Sequence, residues 1–265
     1  MALPPPVPES TCLVTGASSG IGADIARSLA GRGHGVTIVA RREERLEALA
    51  GELRDRERVR VETIGCDLGD ADARAHLSAQ IEERGLKVEV LVNNAGFGSG
   101  GRFDRLDAAR ELAMVRLNVE AVVDLCGRYV PDMVRGGRGA VLNVASTAAF
   151  QPLPRQATYA ATKAFVLSFT DALHEELSGA GVTATSLCPG PVKTEFFDNA
   201  GIEAEGLPAL VLTGSADVAE AGVKGLEKGR RVVVPGPLNR AGALGGQHVP
   251  RGVLLKLAGK VYPVG

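Results

Sequence analysis

Residues 11–33 read TCLVTGASSGIGADIARSLAGRG. Residues 12–15 form a short apolar run ending at glycine, which predicts a strand. Beyond the turn, Ile21, Ile25 and Leu29 recur at helical spacing on one face. Gly16 permits the tight turn between the two elements. Gly20 and Gly22 let backbone amides and the helix start approach a pyrophosphate. Strand, glycine turn and helix in that order open a parallel α/β sheet.

The alternation continues along the chain. Further strands are predicted over 35–40, 59–64, 88–92, 139–145, 181–187 and 231–234. Helices are predicted from the Arg41-Arg42 pair onward through RREERLEALAGELRDRE, and over 70–84, 104–136, 156–178 and 216–228. The fold class is therefore α/β, a single-domain Rossmann fold with a doubly wound parallel β-sheet of about seven strands flanked by helices. Residues 1–9 are expected as a disordered, Pro-rich lead-in. The nucleotide-binding domain spans 10–236 with a substrate flap at 192–213, and 237–265 extends the same domain.

Asn143 to Lys163 reads NVASTAAFQPLPRQATYAATK. Tyr159 and Lys163, four residues apart, share one helix face. Ser146 follows the apolar run GAVLNVA and stands just after a buried strand. A free tyrosine has a pKa of roughly 10. An ammonium a few ångströms away is expected to lower it, so that Tyr159 exchanges a proton with an alcohol or alkoxide. Ser146 would hydrogen-bond the same oxygen. Chance helical spacing is the alternative for the Tyr–Lys pair taken alone.

The second strand ends at Ala40, where an acidic residue would bind the 2′-hydroxyl of NAD. Arg41 and Arg42 follow, and guanidiniums suit a phosphate. NADP(H) is the expected cofactor, with NAD(H) as the alternative. Both arginines also fit the start of the next helix's charged face. Asp67 either accepts from an adenine amino group or caps the helix at 70–84. Asn93 and Asn94 tie strand ends together, and the small residues beside them let a cofactor pass close to the backbone. Asn118, between apolar residues, is either a surface residue or a polar group at a bend, and by propensity alone it reads as surface.

The chain has 265 residues, 45% hydrophobic and 23% charged, with 34 glycines. A core of ordinary size follows from that balance. The formal net charge of −1 gives no reason to invoke nucleic acid or an anionic membrane. Cys12, Cys66, Cys126 and Cys188 show no metal spacing and read as reduced core thiols. MALPPPVPES is no signal peptide, and no run reaches the ~18 apolar residues of a membrane span, so a cytoplasmic protein is expected. The basic tail VPRGVLLKLAGKVY would close the pocket, contact a subunit or lie on a membrane surface.

Together the motifs resemble the short-chain dehydrogenase/reductase family over roughly 10–235. The resemblance rests on TGASSGIG (15–22), CDL (66–68), NNAG (93–96), Asn118, Ser146, YAATK (159–163) and PGPVKT (189–194). It implies Tyr159 as acid/base, Lys163 on the nicotinamide ribose and Ser146 on the carbonyl. Asn118 would hold a water linked to Lys163. Cofactor contacts would come from Gly16, Ser18, Ser19, Gly20, Ile21, Gly22, Arg41, Arg42, Asp67, Leu68, Asn94, Ala95 and Gly96. Pro189, Gly190, Val192 and Thr194 would cover the nicotinamide. No metal is implied. The basic residue common in the family's NADP-type glycine motif is replaced by Ala17 and Ser18. A homodimer or homotetramer pairing through the long helices is the family default.

The pocket is expected to be lined by Phe97, 147–151, Leu153, Pro191 and 196–212, without a fixed charge. A neutral lipophilic ketone, aldehyde or secondary alcohol is the expected substrate. A non-catalytic NADP(H)-binding regulator would lack Tyr159 or Lys163. The same scaffold also suits isomerisation or NAD-linked alcohol oxidation.

Overall fold

The computed structural model describes residues 3–192, 194–196, 212–246, 249, 252 and 255. Seven parallel strands make one sheet in the order β3-β2-β1-β4-β5-β6-β7. They are β1 (Ser10–Thr15), β2 (Val36–Ala40), β3 (Val61–Gly65), β4 (Lys87–Asn93), β5 (Gly139–Val144), β6 (Val182–Leu187) and β7 (Val232–Val233). The helices are α1 (Gly20–Ala30), α2 (Glu43–Glu57), α3 (Ala71–Glu83), α4 (Ala108–Val115), α5 (Ala121–Arg135), α6 (Ala157–Glu176), α7 (Ser215–Glu227) and α8 (Pro237–Gly246). This is the doubly wound Rossmann architecture that the alternating pattern predicts.

Successive side chains of a strand point to opposite faces, and β1 shows how both are covered. Cys12 and Val14 enter a core with Ile25 and Leu29 of α1, Leu53 of α2 and Leu226 of α7. Leu13 enters the other core, with Leu77 of α3, Leu125 of α5 and Val166 of α6. Burying a leucine of this kind contributes about 1.5–3 kcal/mol. With β1 central and both faces apolar, the sheet is fixed before any polar contact is counted.

The chain steps outward from β1 to β3, then returns to β4 on the other side of β1. The connections leaving β1 and β4 therefore diverge and open a crevice at the strands' carboxyl ends. Thr15 and Asn94 pin the two ends together. Thr15 Oγ1 donates to Val92 O (3.1 Å) and accepts from the amides of Asn94 (2.9 Å) and Ala95 (3.1 Å). Asn94 Nδ2 donates to Thr15 O at 2.9 Å and Gly16 O at 3.2 Å. Asn93 Nδ2 donates to Asn143 Oδ1, and Asn143 Nδ2 to Thr170 Oγ1, joining β4, β5 and α6.

Several expectations change. The helix predicted over 104–136 is broken into a short 3₁₀ turn at Phe103–Arg105, α4, a π-turn at Arg116–Glu120, and α5. Asn118 sits in that π-turn and is 1% exposed, so it is not a surface residue. The cap of α3 is Asp70, which accepts from the Asp72 and Ala73 amides; Asp67 bonds the Gly69 amide instead. Arg41 and Arg42 precede α2, which begins at Glu43. In the lead-in, Leu3 packs on the core, Pro5 O accepts from Arg138, and Val7 exchanges hydrogen bonds with Ser10. Helix α8 has no counterpart among the sequence expectations. Most of the flap (197–211) and of the basic tail lies outside the described residues.

Candidate active site

The carboxyl ends of the strands frame a cavity of about 1060 Å³. At its inner wall stand Ser146, Tyr159 and Lys163. Helix α6 places Tyr159 and Lys163 one turn apart, both buried. Ser146 begins the 3₁₀ turn Thr147–Phe150 directly beyond β5, and its Oγ accepts from the Ala148 amide at 3.1 Å. That cap fixes the serine side chain on the wall that also carries the Tyr159 phenol. Lys163 Nζ donates to Val144 O at 2.8 Å and lies 5.9 Å from the Tyr159 ring centroid.

Burial pushes the Tyr159 phenol up to about 12, against the opposing pull of the Ser146 hydroxyl. Helical spacing alone predicts a lowered value. Desolvation overrides it, because both groups are enclosed and the ammonium faces the Val144 carbonyl. Burial also lowers Lys163 to about 8. Lys163 therefore remains mainly protonated at neutral pH.

Asn118 stands behind this wall and does not line the cavity. Its Oδ1 accepts from the Phe97 amide at 3.2 Å, while Nδ2 donates to Phe97 O (2.9 Å) and Thr162 Oγ1 (3.1 Å). A Cβ at Gly96 would lie 2.8 Å from Asn118 Oδ1 and 3.6 Å from Lys163 Nζ. Glycine thus lets the strand end, the π-turn and the lysine meet.

The cofactor end is built on the glycine turn. Gly16 and Gly20 have φ of +66° and +57°, which side chains disfavour. Helix α1 has no side-chain cap and no acidic residue in its first turn, so its free amides and dipole are left for an anion. Ser18, Ser19, Ile21, Arg41, Arg42, Asp67, Leu68, Asn94, Ala95, Pro189, Gly190, Val192 and Thr194 all line the cavity with these two glycines and Gly96. An anion seat at one end and small residues along the floor fit a dinucleotide. Gly22 is not in the lining; a Cβ there would collide with Asn94 Nδ2 and come 2.5 Å from Gly16 O. Its role is close packing of α1 on the strand ends.

The other end is largely apolar. Tyr159, Met114 and Ala148 form a small cluster with Phe97, Leu153 and Phe196 packed against it. The expected absence of fixed charge fails: Arg110 lines this end, its guanidinium carbon 5.2 Å from the Phe97 ring centroid. Glu195 lines the cavity too.

A family model described as short chain dehydrogenase matches residues 10–204. The chain belongs to the short-chain dehydrogenase family. It is similar to the solved short-chain dehydrogenase from Sphingobium yanoikuyae in complex with NADPH, at 35% identity and TM-score 0.82, covering 92% of this chain and 94% of that one. A bulky-bulky ketone specific alcohol dehydrogenase from Comamonas testosteroni is 29% identical with TM-score 0.76, over 98% and 96% of the two chains. Sulfoacetaldehyde reductase 2 of Chromohalobacter salexigens is 38% identical over 186 residues, 69% of this chain and 73% of the relative.

As a short-chain dehydrogenase the chain is a nucleotide-binding oxidoreductase. Three features of this family member lie outside the expectations drawn from the sequence. Arg110, Ala113 and Leu117 line the cavity together at i, i+3 and i+7, a spacing that one helix face would have revealed. Gln156, also in the lining, stands just before α6 and carries no sequence signal. Arg74, fully buried in α3, donates to Leu68 O at 2.8 Å and pairs with Glu120 and Asp124, bracing the cavity's Leu68 from behind. In the sequence it is one more charge on a charged helix.

Proposed function

We propose that the chain is an NADP(H)-dependent oxidoreductase that interconverts a neutral lipophilic ketone or aldehyde and its alcohol. The convergence of Ser146, Tyr159 and Lys163 on one wall of a cavity whose far end carries Arg41 and Arg42 supports this most strongly. NADPH supplies the hydride when bound. Gly16, Gly20 and the α1 amides would hold its pyrophosphate, and Arg41 and Arg42 together its 2′-phosphate. Arg41 has no hydrogen bond or ion pair among the described residues and is left for that phosphate.

In reduction, Ser146 Oγ hydrogen-bonds the substrate oxygen and orients it. Tyr159 donates its phenolic proton to that oxygen as negative charge develops. A phenol held near 12 releases a proton poorly by itself. The Lys163 ammonium stabilises the phenolate left behind, and oxidation runs these steps in reverse. Asn118 positions Phe97 and the π-turn without touching the cavity.

The apolar lining favours a lipophilic neutral substrate, in keeping with the ketone-specific relative. Arg110 favours a second reading, a small carbonyl bearing an anionic group, as the name of the sulfoacetaldehyde relative suggests. The test is NADPH consumption against matched ketones with and without a sulfonate, in wild type and Tyr159→Phe. Turnover is expected with neutral ketones and not in the variant, whose NADPH affinity is retained. Comparable turnover in Tyr159→Phe would remove the assigned acid, and preference for the sulfonates would select the second reading.

A further inference from the structure

Glu195 ties the segment after β6 to the opposite wall of the cavity. Its Oε2 accepts from Arg42 Nη1 at 2.8 Å and its Oε1 from Arg45 Nη1 at 2.6 Å. The remaining contacts of Arg42 go to the glycine turn: Nε and Nη2 donate to Ser18 Oγ at 3.2 and 2.9 Å, and Nη2 to Ser19 Oγ at 2.9 Å. One carboxylate thus spans two guanidiniums as two oxygens of a phosphate monoester would. All three side chains are exposed, so water screens the contact and a competing anion can exchange with it. The two arginines hold the Glu195 carboxyl down at about 2, so it stays ionised at any ordinary pH. Acid does not open this contact.

The neighbours of Glu195 extend its reach. A Cβ on Gly20 would lie 3.1 Å from Thr194 Cγ2, at the start of α1. Phe196 packs on Tyr159 with ring centroids 5.4 Å apart and planes at 52°. Residues 194–196 therefore run from the anion end of the cavity to the buried phenol.

We propose that Glu195 is an internal occupant of the 2′-phosphate seat, holding Arg42 and Arg45 until a cofactor phosphate displaces it and frees residues 194–196 from the cavity mouth. This rests on the NADP(H) assignment above. Glu195 is then a specificity-determining residue: it weakens binding of a 2′-phosphorylated nucleotide and leaves an unphosphorylated one unaffected. Arg45, outside the cavity lining, becomes part of the seat once Glu195 leaves.

Calorimetric titration of wild type and Glu195→Gln with adenosine 2′,5′-bisphosphate and with adenosine 5′-monophosphate tests this without turnover. The variant is expected to bind the bisphosphate about 1.5-fold to fivefold tighter, the range of an exposed ion pair, with the monophosphate unchanged. Weaker or unchanged bisphosphate binding in the variant, or an equal shift for both nucleotides, overturns the proposal. Should wild type show no preference for the bisphosphate and Glu195→Gln acquire one, the proposal stands and Glu195 is the reason. If neither protein prefers it, the NADP(H) assignment falls, and the proposal with it.

Discussion

Replacing Lys163 with methionine is expected to stabilise the cofactor-free protein while abolishing turnover. Burial lowers the Lys163 pKa from 10.5 to about 8. At ~1.4 kcal/mol per unit, the buried ammonium costs about 3 kcal/mol of folding stability when charged. Below pH 8 folded and unfolded chains both hold the proton, and the full cost applies. Between pH 8 and 10.5 the unfolded chain holds more protons than the folded one, so the cost is relieved as pH rises. Methionine removes the charge at similar length but forfeits the 2.8 Å bond to Val144 O, a loss of about 1–3 kcal/mol. The net gain at pH 7 is therefore about 1 kcal/mol. The sharper signature is its decline, by about 1 kcal/mol, from pH 7 to 9. Urea unfolding of both proteins at pH 7, 8 and 9, with reductant and without cofactor, measures it. Buried Cys12 and Cys126, whose thiol pKa values are raised and neither of which couples to Lys163, lower the stability of both proteins as pH climbs past 9 and cancel in the difference. A gap that stays constant from pH 7 to 9 would refute the buried, charged lysine.

Arg41→Ala should weaken NADPH more than NADH by roughly 1.5–3 kcal/mol, the worth of a charge-assisted hydrogen bond, in separate fluorescence titrations; equal losses would make Arg41 structural. Gly22→Ala places a Cβ 2.5 Å from Gly16 O and against Asn94, so thermal melts should show a loss of at least ~2 kcal/mol together with lost nucleotide binding. A variant with wild-type melting would show that α1 can shift without cost.

The sheet is legible in the sequence because most strands are short runs of apolar and β-branched residues bounded by turn residues. Residues 12–15 and Ile21, Ile25 and Leu29 suffice for the first unit, and its repetition fixes the rest. Most of the cavity is legible too, since its residues sit at strand ends where the chain is forced to converge. Asn118 shows where periodicity stops being informative. A π-turn shifts the helical phase by one residue, and its burial depends on Phe97 and Thr162, distant in sequence. The phenol's pKa departs from expectation for a related reason: spacing reports neighbours and carries no measure of enclosure. Arg110 shares a helical phase with Ala113 and Leu117, but periodicity does not say that this face meets the cavity. The Arg42–Glu195 contact joins residues 153 positions apart, and no local pattern announces it.

The most direct test follows the hydride. Protein loaded with NADPH carrying two deuteriums at the nicotinamide C4 is mixed with a neutral lipophilic ketone, and the product is analysed by mass spectrometry. One deuterium on the carbinol carbon, with none transferred by Tyr159→Phe, is the predicted result. An unlabelled alcohol, or unchanged ketone with NADPH bound and intact, would contradict the assignment of this site as a carbonyl reductase.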